Sequence, residues 1–375
     1  MKFLRVLCVL ALALCVTASV YAETQSVKVS GDMTMRGIFR NSYDYLDNPP
    51  EDAAGQVIGQ ETSGDQSWFM STVGLRVDAD LTDNVSTVVR LINQRDWNVT
   101  GRTAGFNSTT SLVPNGRGGY TAIGEAEFDV IVDLAYVTLK DFIYSPLTVT
   151  IGRQDLWFGK GFIVGLNQQN PGPITTGSPN LIVPGNLNAP EYTELNSFDA
   201  IKAVLDYDPW TITAIYSKIY EGEVAGNDDV DLWGVNVGYK FDSYKAEAEA
   251  YWFLKTSKEI HIFNFQKHNA NTVYTLGTRG SLDPVEWATL NGEISVQGGQ
   301  YVASMNQWQT RDRAALAMDI SGECRYFTDK FAWKPKFGAE YILYSGDEYP
   351  ADKTAGLYRG WDPMYRGKFD SAIRE

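Results

Sequence analysis

From Val27 to Phe39 the odd positions carry Val27, Val29, Gly31, Met33, Met35, Gly37 and Phe39, while Lys28, Ser30, Asp32, Thr34, Arg36 and Arg40 mark the even ones. A period of two is the mark of a strand with one apolar and one polar face. The reading repeats in Phe69, Val73, Leu75 and Val77 against Thr72, Arg76 and Asp78, and in Phe128, Val130, Val132 and Leu134 against Asp129 and Asp133. It returns in Trp233, Val235, Val237 and Tyr239 against Asn236 and Lys240, and in Ala314, Leu316, Met318 and Ile320 against Arg313, Asp319, Glu323 and Arg325. About thirteen such segments are present, several near the ~10 residues of a tilted membrane strand. Helical periodicity is nearly absent.

Alternation alone also fits a soluble sandwich, and the connections separate the two. Tight turns are expected at Leu81 to Asn84, Asp141 to Pro146, Asp208-Pro209, Asp242-Ser243, Asp283-Pro284 and Thr328 to Trp333. Between them lie long connections, Asn41 to Gln66, Asn98 to Glu125, Asp155 to Ser197, Glu221 to Val230, Ser257 to Asn269 and Gly298 to Thr310. A short, long, short, long rhythm belongs to an up-and-down barrel with tight turns at one end and extended loops at the other. Aromatics beside the short turns, Phe142, Tyr144, Tyr207, Trp210, Phe241, Tyr244, Trp287, Phe331 and Trp333, suit a girdle at a lipid interface. The pattern therefore predicts an all-β fold, a transmembrane up-and-down antiparallel β-barrel.

The first residues read as an export signal. Lys2 and Arg5 precede an apolar run from Val6 to Val16 and a small-residue exit at Val20-Tyr21-Ala22, so residues 1–22 are expected to be cleaved and residues 23–375 to form the barrel domain. A lipoprotein reading through Cys15 is disfavoured by Leu14 before it, where a small residue is expected. After cleavage Cys324 is the one remaining cysteine, which rules out an internal disulfide and a cysteine metal site. An odd strand number and a polar tail from Ser345 to Glu375, without a final aromatic strand, predict a barrel lacking its last strands, about 16–18 when complete.

The formal charge of -14 argues against nucleic acid as a partner. On the polar faces the expected pore-lining residues are Arg36, Arg76, Arg90, Lys202, Lys245, Arg313 and Arg325, with Lys336 beside them and Arg153 and Arg279 as additions. Against them stand Asp32, Asp78, Asp129, Asp133, Asp206, Glu247, Glu249, Glu293, Asp319, Glu323 and Glu340, so neither sign dominates. These ladders either bind solute or only brace the wall and keep the lumen wet. The proline-rich connection from Asp155 to Ser197 either folds inward as a constriction or stays outside as a solvated loop.

No catalytic residue, metal ligand or cofactor is expected. His261 and His268 lack a third donor at metal spacing, and no serine stands in a nucleophile elbow. The function expected is passive passage of a polar solute, with a saccharide favoured, across a bacterial outer membrane. Its competitors are a general diffusion porin, a secreted all-β polysaccharide-active enzyme using carboxylates such as Glu247 and Glu249, and an adhesin or purely structural barrel.

At Ile151-Gly152-Arg153-Gln154-Asp155-Leu156-Trp157-Phe158-Gly159, preceded by Leu134-Ala135-Tyr136-Val137-Thr138-Leu139, the chain resembles the alginate-export family of outer-membrane porins. Thr275-Leu276-Gly277-Thr278-Arg279-Gly280 with Glu293 and Gln297-Gly298 is similar to a later strand pair of that family, and Trp361-Asp362-Pro363-Met364-Tyr365-Arg366-Gly367 to one of its external-loop motifs. The resemblance implies a monomeric barrel of about eighteen strands that passes an anionic polysaccharide or related sugar. By parity Arg153 falls on the face of Val149 and Ile151. A bulge at Gly152 that turns it into the lumen is the reading preferred here, over a place above the apolar belt.

Overall fold

The computed structural model describes residues 26–40, 66–97, 112–114, 120–122, 130–167, 192–221, 229–257, 271–302, 310–328, 330–331, 334–348 and 356–367. The leader, both histidines, Phe128, Asp129, Trp333 and residues 168–191 of the proline-rich connection lie outside them.

The fold is all-β. Its strands are β1 (Ser26–Arg40), β2 (Gln66–Thr82), β3 (Val85–Asp96), β4 (Leu112–Pro114), β5 (Tyr120–Ala122), β6 (Ile131–Leu139), β7 (Leu147–Gln154) and β8 (Phe198–Tyr207). They continue as β9 (Trp210–Tyr220), β10 (Val230–Lys240), β11 (Glu247–Ser257), β12 (Asn271–Val285), β13 (Ala288–Val302), β14 (Thr310–Cys324) and β15 (Phe337–Tyr344). Thirteen of them form one sheet in simple chain order, every neighbouring pair antiparallel, while β4 and β5 make a separate hairpin within the second long connection. The sheet is open, with β1 at one edge and β15 at the other. No helix among the described residues is long and apolar enough to cross a membrane, which has no bearing on strands.

Register keeps the two faces separate. Val29 opposes Val77 and Met33 opposes Val73, while Ser30 opposes Arg76 and Thr34 opposes Thr72. The same sorting runs across to β14, where Ile294 opposes Met318 and Glu293 opposes Asp319. One face carries Val29 at 64% exposure, Met33 at 61%, Leu276 at 58% and Ile320 at 52%, among many other large apolar side chains. A continuous greasy surface of this extent is foreign to a protein facing water, where exposed apolar patches stay near a few hundred Å². At the short-turn end Phe142, Tyr144, Tyr207, Trp210, Phe241, Tyr244, Trp287 and Phe331 are all exposed, as the pattern predicts.

The polar face is concave. Lys160, six residues past the end of β7, binds Asp319 on β14 and Glu340 on β15. Six residues of chain reach at most about 21 Å. In a flat sheet the eight strand steps from β7 to β15 would cover about 38 Å. A lysine and a glutamate cannot bridge that difference, so the sheet curls around its charged side.

Three sequence-based expectations need correction. The turn expected at Asp283-Pro284 falls later, because β12 runs on irregularly to Val285 and β13 starts at Ala288. Leu134, expected on the apolar face, is 4% exposed on the inner side. The β3 to β6 register shifts there, with Arg90 opposite Leu134 and Leu91 opposite Val132. Asp133 is the extra residue of that bulge, and the slip reverses the parity of the residues beyond it. Lys245 belongs to the β10 to β11 turn, exposed and at φ 45°, and is no wall residue.

Candidate functional site

The inner face is covered in its middle by two segments that cross it. Residues 155–167 leave β7 and turn inward, and residues 356–367 return along β14 and run back across β13, β12 and β11. The second segment lies as a strap on backbone bonds, Tyr358 N to Asp312 O at 2.8 Å and Ala314 N to Tyr358 O at 2.8 Å. Gln297 then holds Asp362 twice, through its backbone oxygen at 2.8 Å and nitrogen at 2.9 Å. Lys255 donates to the Asp362 carboxylate at 3.2 Å, and Arg313 donates to Gly360 O at 2.8 Å. Where the two segments meet, Val164 and Tyr365 form a parallel bridge, with Gly165 N to Tyr365 O at 2.7 Å and Tyr365 N to Ile163 O at 3.0 Å.

Beneath this junction lies the larger apolar cluster of the described residues, on the concave side. Leu156, Phe162, Val164, Phe198, Leu232, Phe253 and Tyr365 are buried together, with Phe162 stacked on Tyr344 at 5.6 Å and Tyr365 set edge-on to Phe198 at 5.6 Å. Each fully buried large side chain contributes about 1.5–3 kcal/mol toward holding the layer down. Part of the interior beside β8 to β15 is thus filled, and on β1 to β3 Met70, Thr72, Ile92 and Gln94 are buried too, while Asp32, Arg36 and Arg76 stay partly open. Side-chain exposure is 30% for Arg36, 38% for Arg76 and 50% for Asp32, against 10% for Arg279, 3% for Arg313 and 2% for Asp319.

The expected pore residues divide accordingly. Arg90 gathers Asp133 at 2.7 Å, Asp32 at 2.9 Å and Glu194 at 3.0 Å, and Arg36 lies 3.7 Å from the same Glu194. Arg76 pairs with Asp78 at 2.8 Å. Arg279 holds both Glu247, at 2.7 Å, and Glu249, which ties these carboxylates to the wall. Arg313 is packed between the strap and the rings of Tyr301 and Tyr358, at 5.6 and 5.1 Å. Arg325 sits at the short-turn rim, donating to Thr289 at 2.8 Å.

Arg153 does not join them. It opposes Ala135 and Asp199 in unbroken register and shares the outer face with Ile151 and Ile201, each 47% exposed. Gly152 takes φ 123° without adding a residue, because any Cβ there would lie 2.2 Å from Ala135 O. The bulge preferred from the sequence is therefore absent, and the arginine is met instead by Asp199 through two nitrogens at 2.9 and 2.8 Å.

Lys202 faces a cavity of about 360 Å³ together with Trp157, Thr211, Thr213, Asn236 and Glu249. Among the described residues no carboxylate lies within ion-pairing distance of it. Sequence reasoning missed Lys160, Lys255, Arg311 and Asp362, which lock the inner layer. Their partners are remote, and the segments carrying Lys160 and Asp362 have no periodicity to announce them.

No family profile matches the chain, and no curated protein matches it. Among solved structures it is similar to Salmonella typhi OmpF in complex with daunomycin, at TM-score 0.36 and 10% identity, over 86% of this chain and 92% of that one. It is similar as well to Pseudomonas putida OprB, at TM-score 0.42 and 11% identity, over 85% of this chain and 75% of that one. A third is an anion-selective porin from Comamonas acidovorans, at TM-score 0.42 and 13% identity, over 85% and 78%.

Proposed function

We propose that this chain forms the wall of a bacterial outer-membrane channel for passive passage of a polar solute, with a saccharide favoured. The observation that carries the reading is the division of the sheet. Its convex face is greasy and exposed, while its concave face holds most of the charges, several of them partly open along β1 and β2. Only an apolar solvent suits the first, and only water the second. A soluble all-β enzyme would need the reverse, and the paired carboxylates that enzyme would use are the ones Arg279 occupies.

The inner layer narrows the channel, and open space remains beside Asp32, Arg36 and Arg76 and at the cavity facing Lys202. Arg36, Arg76 and Arg90 each have a carboxylate partner, which leaves little of their guanidinium surface for a polyuronate chain. This favours a neutral or weakly anionic sugar over alginate. A general diffusion porin is the second reading, favoured by the same balance of charge.

Reconstitution of the protein into planar bilayers tests the proposal. Discrete conductance steps, reduced reversibly by oligosaccharide, are the expected result. A protein that stays monomeric in buffer without detergent and opens no steps would refute it.

A further inference from the structure

We propose that Trp157 and the cavity beside it form a binding site for an uncharged sugar ring, an inference that rests on the channel reading above. Trp157 is 51% exposed although its neighbours Leu156 and Phe162 are buried. Its indole is fixed from two sides. Nε1 donates to Gly159 O at 2.9 Å, and Gly161, Gly165 and Gly367 bring bare backbone against the six-membered ring. A Cβ at these positions would lie 2.7, 3.0 and 2.6 Å from ring atoms, so no other residue allows the approach. Two of these glycines come from the segment after β7 and the third from the strap, so the platform exists only when both segments are seated.

An indole held rigidly with half its surface open offers an apolar plane at little entropic cost. Around it the cavity presents hydrogen-bonding groups, Lys202, Thr211, Thr213, Asn236 and Glu249. At about 360 Å³ it lies at the small end of the roughly 300–1,000 Å³ typical of ligand pockets. One plane with a polar rim matches a pyranose ring, which has an apolar C–H face and hydroxyls around its edge. Charge selects within that class. The lining carries Lys202 and Lys240 against Glu247 and Glu249, two charges of each sign, so it offers no net positive charge to receive a carboxylate. A uronate would approach Glu249 at a cost, whereas a neutral hexose unit would not.

The test uses the whole protein in planar bilayers, with cellobiose, maltotriose and sodium glucuronate as probes. Expected is a sugar-dependent interruption of current, stronger for the neutral oligosaccharides than for glucuronate. Trp157→Ala raises the half-blocking concentration about tenfold, and Trp157→Phe about threefold or less. Heat-modifiable migration verifies folding of each variant. Should Trp157→Ala not fold, Thr213→Val combined with Asn236→Leu removes two rim groups and carries the same expectation. Equal block with and without these groups, or stronger block by glucuronate, overturns the inference while leaving a conducting channel intact. A wild-type chain that conducts nothing removes the channel reading itself, and this inference with it.

Discussion

Arg153 and Asp199 meet on the convex face of β7 and β8, two guanidinium nitrogens against two carboxylate oxygens at 2.9 and 2.8 Å. Ile151 and Ile201 flank them on the same apolar side, so each charge there depends on the other. Asp199→Leu is expected to cost about 1–3 kcal/mol by leaving the guanidinium without its partner on that apolar face. Arg153→Leu combined with Asp199→Leu is expected to return most of that. Urea unfolding in lipid vesicles measures both, and a double variant no more stable than the single one contradicts the assignment.

Leu276 lies near the middle of β12, 58% exposed and opposite Val296. Where the convex face meets hydrocarbon, Leu276→Lys is expected to lower stability by about 2–4 kcal/mol. On a protein facing water the same change would be close to neutral. Folded yield in vesicles, read by heat-modifiable migration, separates the two outcomes.

Asp362 fastens the strap, accepting from Lys255 at 3.2 Å and from Met364 N at 2.8 Å, with Arg313 at 3.9 Å. Asp362→Ala leaves the buried Arg313 and the half-buried Lys255 without their carboxylate, at about 3–5 kcal/mol. The strap is expected to lift before the sheet fails, seen as a larger single-channel conductance at unchanged strand content by circular dichroism. Unaltered conductance would mean the strap does not limit passage.

Lys160 provides a pH test. Burial favours its neutral amine, but the hydrogen bond to Glu340 and the charge of Asp319 outweigh this and hold its pKa above the ordinary lysine value. A raised pKa means the stabilisation is fully present below the free lysine range near about 10.4 and is lost as pH rises through the higher folded value. Conductance is expected to stay level from neutral pH to about 10 and to rise beyond. Lys160→Met, lacking the tether, is expected to show the larger conductance already at neutral pH and no alkaline step.

The wall was legible in the sequence because a strand exposed to different surroundings on its two sides must alternate, as Val27 to Phe39 does. Leu134 was misplaced since one inserted residue, Asp133, reverses parity without changing composition. The inner layer was hidden for another reason. Lys160 finds its partners 159 and 180 residues away, and no local pattern encodes a pairing at that distance. Of the candidate residues, Arg36, Arg76, Arg90, Lys202, Arg279 and Arg313 do lie on the concave side, because charge on a strand follows the same alternation. Trp157 stands in the sequence only as part of a motif and not as a site residue, as its setting depends on glycines from two segments far apart in the chain.

The bridge between Val164 and Tyr365 has a consequence for assembly. It joins positions roughly 200 residues apart, and contacts of such separation form after the neighbouring hairpins are already paired. A wall built strand by strand therefore passes through a stage in which the strap does not yet cover its concave side. If the wall lines a channel, its passage is widest before the late strap comes to rest across it.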